Sequence, residues 1–263
     1  RVGDHVHAAR EVADPAIAER RRLEGGDARV PQHQRGRDRV GDGELGRQPP
    51  VGIGVRHPQA EGDGHHAHHR HLIGADAALF TASGMGAVAL AHLAVLRPGD
   101  HLLASEWIYG GVYRLFREEF GKLGIDVSFV NPTQARAWKR AQRKTTRAVF
   151  LETPTNPLMR VIDLEPVATL CKAEGLALIV DSTFASPVNF RPLEHGADLV
   201  IHSATKYLNG HADVIAGAVV GTDQVVEEVR RLMQVWGQAL DPFAAWLIDR
   251  GMRTLPVRVA RHN

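Results

Sequence analysis

Apolar positions are unevenly spread along the chain, and from Ala77 onward they fall into short blocks that switch between two periods. Ala77–Ala82 (AALFTA) reads as a strand ending at Ser83-Gly84, and Met85–Leu96 as an Ala-rich helix. Arg97-Pro-Gly-Asp100 is a turn, because Pro98 fixes φ and Gly99 accepts positive φ. His101–Ser105 then reads as a strand, Gly111–Leu123 as a helix, Ile125–Val130 as a strand, Thr133–Arg143 as a polar helix and Arg147–Glu152 as a buried strand. Asp163 is placed to cap a helix through Ala173 that Gly175 ends. Leu176–Val180 (LALIV) is continuously apolar, as a strand covered on both faces must be. Ala197–His202 and Ile215–Gly221 follow as strands, then a long helix over Gln224–Trp236. This alternation predicts the α/β class, a mostly parallel sheet between helical layers.

In such sheets ligands bind beyond the carboxyl ends of the strands. That edge gathers Ser83-Gly84-Met85, Glu152-Thr-Pro-Thr-Asn156, Asp181-Ser-Thr183 and Ser203-Ala-Thr-Lys206. Carboxyl groups, one amine and several hydroxyls on this edge suit an anionic, aromatic, carbonyl-bearing cofactor. Gly84 and Met85 open a helix whose first amides are unpaired, a phosphate site, although alone the motif is also an ordinary tight turn. Asp181 at a strand mouth needs a cation or several donors; a protonated pyridine nitrogen would serve, and a turn carboxylate is the plainer alternative. Lys206 beside Ser203 and Thr205 can form a Schiff base with an aldehyde while the hydroxyls hold its phosphate. Ser203-x-x-Lys206 also matches a serine-nucleophile motif, but that reading needs the serine to open a helix and further elements that are absent. Tyr109, in a glycine-rich loop, could stack on a planar cofactor or simply lie on the surface.

Residues 1–71 break the pattern. They contain 12 Arg, 9 His and 11 Gly but no Phe, Tyr, Trp, Met, Cys or Lys, and all 15 aromatic residues lie from Phe80 onward. So little apolar surface cannot offset the entropy of ordering, so little packed structure is predicted there beyond a short helix over Val6–Leu23. Gly52-Ile-Gly54 lacks the strand and third glycine of a dinucleotide fingerprint. His65, His66, His68, His69 and His71 could bind a transition metal adventitiously; no metal site is predicted. The single cysteine, Cys171, excludes a disulfide framework or multi-thiolate zinc and reads as core packing. A formal charge of +2 argues against electrostatic binding of nucleic acid, despite a calculated pI near 8.9. No apolar run approaches a membrane span and no leader pattern opens the sequence, so a cytoplasmic protein is expected.

The motifs SGMGA (83–87), YGGVYRLF (109–116), ETPTNPLMRVID (152–163), VDSTFASP (180–187) and HGADLVIHSATKYLNGHADVIAG (195–217), in this order, resemble the Cys/Met-metabolism family of pyridoxal-phosphate enzymes. That family includes cystathionine γ-synthase, cystathionine β- and γ-lyases, methionine γ-lyase and the O-acylhomoserine sulfhydrylases. The resemblance runs from about Gly74 to Asn263. It implies an aspartate-aminotransferase-like (fold type I) large domain over residues 73–250, with pyridoxal 5'-phosphate (PLP) as cofactor. Lys206 would hold the cofactor and shuttle protons, and Tyr109 would stack on its ring. Asp181 would pair with the pyridine nitrogen and Thr183 would support the ring's other face. The Gly84 and Met85 amides with Ser203 and Thr205 would bind the phosphate. Asn156 would contact the cofactor or the substrate carboxylate, and Glu152 would act around them.

The implied activity is carbon–sulfur lysis or γ-replacement on a small amino-acid substrate, cystathionine or an O-acylhomoserine, by a homo-oligomer. The alternatives are a catalytically impaired PLP-binding remnant and an aminotransferase on the same fold. Family members carry a Tyr-x-Arg element before an Asn-Pro-Thr segment upstream of SGMGA; here that place reads VRHPQAEGDGHHAHHRHLIGADAAL. The composition of residues 1–72 is that of a shifted reading frame in a GC-rich gene, or of a genuine disordered arm. Residues 251–263 resemble the start of the helix between two domains, so the C-terminal small domain is expected to be missing.

Overall fold

The computed structural model describes residues 75–263. The helix predicted over Val6–Leu23, the character predicted for residues 1–72, Gly52-Ile-Gly54 and the five histidines between His65 and His71 lie outside the described residues.

Seven described strands form one sheet: β1 (Ala77–Thr81), β2 (His101–Ser105), β3 (Asp126–Val130), β4 (Thr146–Glu152), β5 (Ala177–Asp181), β6 (Leu199–His202) and β7 (Gly217–Gly221). Their spatial order is β1-β7-β6-β5-β4-β2-β3. Strands β2 to β6 pair in parallel, whereas β7 runs antiparallel to both β6 and β1. Because β7 is reversed against both neighbours, β1 points the same way as β6. The carboxyl ends of β1, β2, β4, β5 and β6 therefore lie on one edge.

Alternation within the strands divides the core between the two faces. Leu102, Ala104, Ala148, Phe150, Ile179, Leu199, Ile201 and Val219 pack on one side, under α1 (Gly84–Val95), the segment 110–123 and α6 (Asp223–Trp236). Leu103, Val149, Leu151, Leu178, Val180, Val200 and Val220 face the other, under α3 (Ala135–Ala141) and α4 (Glu165–Glu174). A third cluster joins Ala204, Leu208 and Ala216 to Ile248, Met252, Leu255 and Val259.

The helix predicted over Gly111–Leu123 is divided into α2 (Gly110–Arg114), a π turn (Leu115–Glu119) and a 3₁₀ turn (Phe120–Leu123). Phe116 and Phe120 both sit against the buried ring of His92, with centroids 4.8 and 5.9 Å from it, and Phe150 closes the same cage at 4.9 Å. Asp163 stands one residue ahead of the α4 cap, which is Leu164, although its Oδ1 still accepts the Glu165 N–H at 3.1 Å. Gly175 ends that helix at φ 64°, as expected. Cys171 lies buried in the core, which pushes its thiol up to about 12. One helix was not expected, α7 (Pro242–Met252), capped by Asp241 Oδ1 on the Phe243 and Ala244 N–H groups, whereas α8 (Leu255–His262) lies within the 251–263 stretch expected to begin a helix. A four-residue α5 (Ser186–Asn189) links β5 to β6. Among the described residues no helix is long and apolar enough to cross a membrane, and no cluster of His, Cys, Asp or Glu could hold a metal ion.

Candidate active site

Asp181 is the last residue of β5 and stays 8% exposed at the common sheet edge. Its Oδ1 accepts from the Thr183 hydroxyl at 2.6 Å and from the Thr183 N–H at 2.9 Å. No described residue donates to Oδ2. Burial pushes the carboxyl up to about 6, against the opposing pull of the two Thr183 bonds. Next to it the Ser182 hydroxyl is buried with no partner among the described residues.

Thr183 also reaches the neighbouring loop, where its hydroxyl accepts the Ser203 N–H at 2.7 Å. The segment after β6 is a series of turns, with the Lys206 N–H donating to the Ser203 carbonyl at 3.0 Å. Ser203 therefore does not open a helix, which removes the geometry of the serine-nucleophile reading. Lys206 is exposed, and its ammonium has neither a hydrogen bond nor an ion pair with any other described residue. Thr205 gives its single proton to the Ala216 carbonyl at 3.1 Å and accepts the Ala216 N–H at 3.0 Å. Its hydroxyl thus staples the lysine loop to the start of β7 and has no donor left for an anion in this arrangement.

Gly84 opens α1 directly beside Ser203. A Cβ at position 84 would lie 3.0 Å from both Cβ and Oγ of Ser203, so glycine permits the approach. Ser83 caps this helix by accepting the Gly86 N–H at 3.0 Å. The first-turn N–H groups of Gly84 and Met85 have no intrahelical acceptor and carry the positive dipole end. The Met85 side chain itself packs into the core, so only its backbone faces the edge.

Glu152 ends β4 in direct register with Asp181. It is 3% exposed, and its Oε2 accepts the Tyr109 N–H at 2.7 Å. Burial, then the Asp181 charge, pushes the carboxyl up to about 8, with hydrogen bonds from the Tyr109 and Asn156 backbones resisting. One side chain therefore ties the Tyr109 loop to the Asn156 loop. Tyr109 is half exposed, and its ring lies over Gly111, where a Cβ would stand 2.6 Å from Cε1. Asn156 sits in a closed loop that Thr155 ties to Arg160, with an N–H to carbonyl bond of 2.9 Å.

Seven of the residues expected at the site thus form two groups on one edge: Asp181, Thr183, Ser203 and Gly84, and Glu152, Tyr109 and Asn156. The register of β4 and β5 connects them. Gln238 was not expected there. Its backbone carbonyl accepts the Ala82 N–H at 2.9 Å, and its side chain fills the space above Gly86, where a Cβ would meet Oε1 at 2.4 Å. Chemically, the edge offers donors for an anion, a buried carboxyl lacking a cation, an accessible aromatic face and a free amine.

The family model described as Cys/Met metabolism PLP-dependent enzyme matches residues 66–263, starting somewhat upstream of the expected Gly74. A cystathionine gamma-synthase/O-acetylhomoserine (thiol)-lyase of Bacillus subtilis is 46% identical over 182 residues, covering 69% of this chain and 48% of the relative. An L-methionine gamma-lyase of Porphyromonas gingivalis is 41% identical over 194 residues, covering 73% and 49%. The solved cystathionine gamma synthase of Xanthomonas oryzae pv. oryzae, in complex with aminoacrylate and cysteine, superposes with a TM-score of 0.69 at 40% identity, over 72% of this chain and 49% of that one. The chain spans about half the length of the curated relatives it matches.

Proposed function

We propose, from the premise that this chain belongs to the Cys/Met-metabolism family of PLP-dependent enzymes, that it is the cofactor-binding part of a carbon–sulfur lyase or γ-replacement enzyme acting on cystathionine or an O-acylhomoserine. The observation that carries the reading is the Asp181 carboxyl: buried, raised to about 6, and bonded on one oxygen only. A protonated pyridine nitrogen supplies the cation that this arrangement lacks. The glycine-lined approach of Gly84 to Ser203 fits a phosphate in the same way.

In this reading the Gly84 and Met85 N–H groups and the Ser203 hydroxyl hold the phosphate. Thr205 joins them only by giving up its bond to Ala216. Asp181 keeps a proton on the pyridine nitrogen, while Thr183 fixes that carboxylate and the loop carrying Ser203. The exposed face of the Tyr109 ring packs on the cofactor plane, and Glu152 holds Tyr109 and Asn156 in their relative places. Asn156 offers its amide to the cofactor or to the substrate carboxylate. When bound, PLP supplies an aldehyde that condenses with an amine and a ring that stores the electron pair left at the substrate α-carbon. Lys206 Nζ would anchor the cofactor and, once the substrate amine has displaced it from the aldehyde carbon, would be free to take the α-proton and return it at a neighbouring carbon.

Residues 73–250 correspond in this reading to the large domain, and 251–263 to the beginning of the helix that leaves it. The whole protein works in the cytoplasm as a homo-oligomer, to which the exposed stacked pair Phe243 and Trp246 would contribute covered surface. A second reading, a half-enzyme that binds PLP without turnover, is favoured by the exposure of Lys206.

Titration of the 263-residue chain with PLP tests the first step. A visible absorbance band that borohydride fixes at Lys206, lost in Lys206→Ala, supports the site. Absence of the band in the unsubstituted chain overturns it. Assays with cystathionine, and with an O-acylhomoserine plus cysteine, then assign the reaction, and turnover of neither selects the second reading.

A further inference from the structure

Nothing among the described residues holds the Lys206 side chain, so the path of its backbone alone decides where the amine is presented. That path is fixed from a distance. Arg258, on α8, donates from Nη1 to the Tyr207 carbonyl at 2.9 Å and from Nη2 to the Leu208 carbonyl at 3.4 Å. The same Nη2 reaches the Gly251 carbonyl at the end of α7 at 2.8 Å. Nε donates to the Thr254 hydroxyl at 3.0 Å, which orients the guanidinium plane. One planar fork thus spans the loop after the lysine and the corner between two helices, a geometry an ammonium on a flexible stem does not reproduce.

The surrounding backbone is shaped to admit that fork. Gly210 has φ +72°, and a Cβ there would stand 2.0 Å from Arg258 Nη1. Gly251 lies against the Asn209 carbonyl, which a Cβ would approach to 2.3 Å. The Tyr207 ring meets the His262 ring edge-on at 5.6 Å, and Leu208 is buried among Ile248, Met252, Leu255 and Val259. The loop closes on itself through the Gly210 N–H, which donates to the Lys206 carbonyl at 2.7 Å, and the Asn209 N–H, which donates to Ala204 at 2.9 Å.

We propose that Arg258 is a positioning residue for Lys206: seated on the carbonyls that follow the lysine, its guanidinium sets the course of loop 206–210 and so the direction in which the amine meets the cofactor. This rests on the PLP reading above for its consequence, but the clasp itself can be tested without PLP.

Hydrogen exchange on the chain without PLP is the first measurement. In Arg258→Met the amides of Asn209 and Gly210 should lose protection at least tenfold while those of β5 keep theirs; Arg258→Lys should recover part of the loss. Unchanged exchange at 209 and 210, or a loss shared equally by β5, overturns the proposal. The second measurement is PLP affinity with borohydride trapping at Lys206, expected to weaken about tenfold or more in Arg258→Met; an affinity equal to the unsubstituted chain also overturns it. If Arg258→Met does not fold, Thr254→Val, which removes the acceptor for Nε together with that hydroxyl's own bond to the Gly251 carbonyl, is read by the same two measurements. It should show a smaller shift in the same direction, and no shift overturns the proposal. Failure of the unsubstituted chain to link PLP overturns the functional reading, while the exchange result still decides the clasp.

Discussion

The Thr183 hydroxyl donates to Asp181 Oδ1 over 2.6 Å and, with its lone pair, accepts the Ser203 N–H over 2.7 Å. One side chain therefore partners a buried carboxyl at the end of β5 and secures the start of the lysine loop after β6. Thr183→Val leaves both groups short of a partner and should cost about 1–3 kcal/mol of folding free energy. Thr183→Ser should retain most of it. Urea unfolding of the three chains measures the difference.

Glu152 sets a pH dependence of definite sign. Its carboxyl is protonated in both states below about 4.5, and the folded state keeps that proton up to about 8. The stabilisation is thus fully present at low pH and is lost as pH rises through that window, by about 1.4 kcal/mol per unit. Asp181 adds a slope of the same sign between 3.8 and about 6. Glu152→Gln should flatten the urea midpoint between pH 6 and 8, where Glu152 acts without Asp181.

His92 works in the opposite direction. Enclosed by Phe116, Phe120 and Phe150, it is lowered by burial from 6.5 to about 4, and His101 and His202 are lowered to about 4 in the same way. The unfolded chain takes up protons first, so the stability these rings contribute is intact above 6.5 and is lost as pH falls towards 4. His92→Leu should remove about 1.4 kcal/mol per pH unit of the slope from this window. Unfolding at pH 4.5, 5.5 and 6.5 checks it.

Gly111 and Gly217 separate site from scaffold. In Gly111→Ala the atoms nearest the new Cβ all belong to the Tyr109 ring, which can swing away. PLP affinity should fall about tenfold, roughly 1.4 kcal/mol, with stability changed by less than about 1 kcal/mol. Fluorescence titration and thermal unfolding read the two effects.

At Gly217 a Cβ would stand 2.2 Å from the Ser83 carbonyl oxygen and 2.7 Å from its carbon, both backbone atoms. Gly217→Ala must displace β1 or β7, and a loss of more than about 3 kcal/mol is expected, visible as poor expression and a lowered Tm.

Periodicity placed nearly every strand and most of the longer helices, because LALIV or RAVFLE must be covered on both faces and the turn and cap glycines Gly99 and Gly175 are local signals. The reversal of β7 was not legible, since a strand buried on both faces reads the same in either direction. The helix Pro242–Met252 went unrecognised although Asp241-Pro242 is a local start signal; Phe243 and Trp246 are exposed, which blurs the apolar stripe. Asp181, Lys206 and Gly84 stood at strand ends and could be singled out from sequence. The coupling of Glu152 to Asp181 exists only through register, and Gln238 reaches Gly86 across a separation no local pattern encodes.

The reversed strand has a consequence for the order in which the protein is made. Among the described strands β1 pairs with β7 alone, apart from a single bridge between Thr81 and Ala239, so in this sheet residues 217–221 lie between β1 and β6 where Gly84 rests beside Ser203. A nascent chain that has emerged through His202 can already assemble the parallel strands and the Asp181 carboxyl, yet it has no finished cradle between Gly84 and Ser203. Closing that cradle is a late, long-range event of the slow-forming kind. In the reading proposed above, the cofactor would therefore join a nearly completed sheet rather than template its first strands.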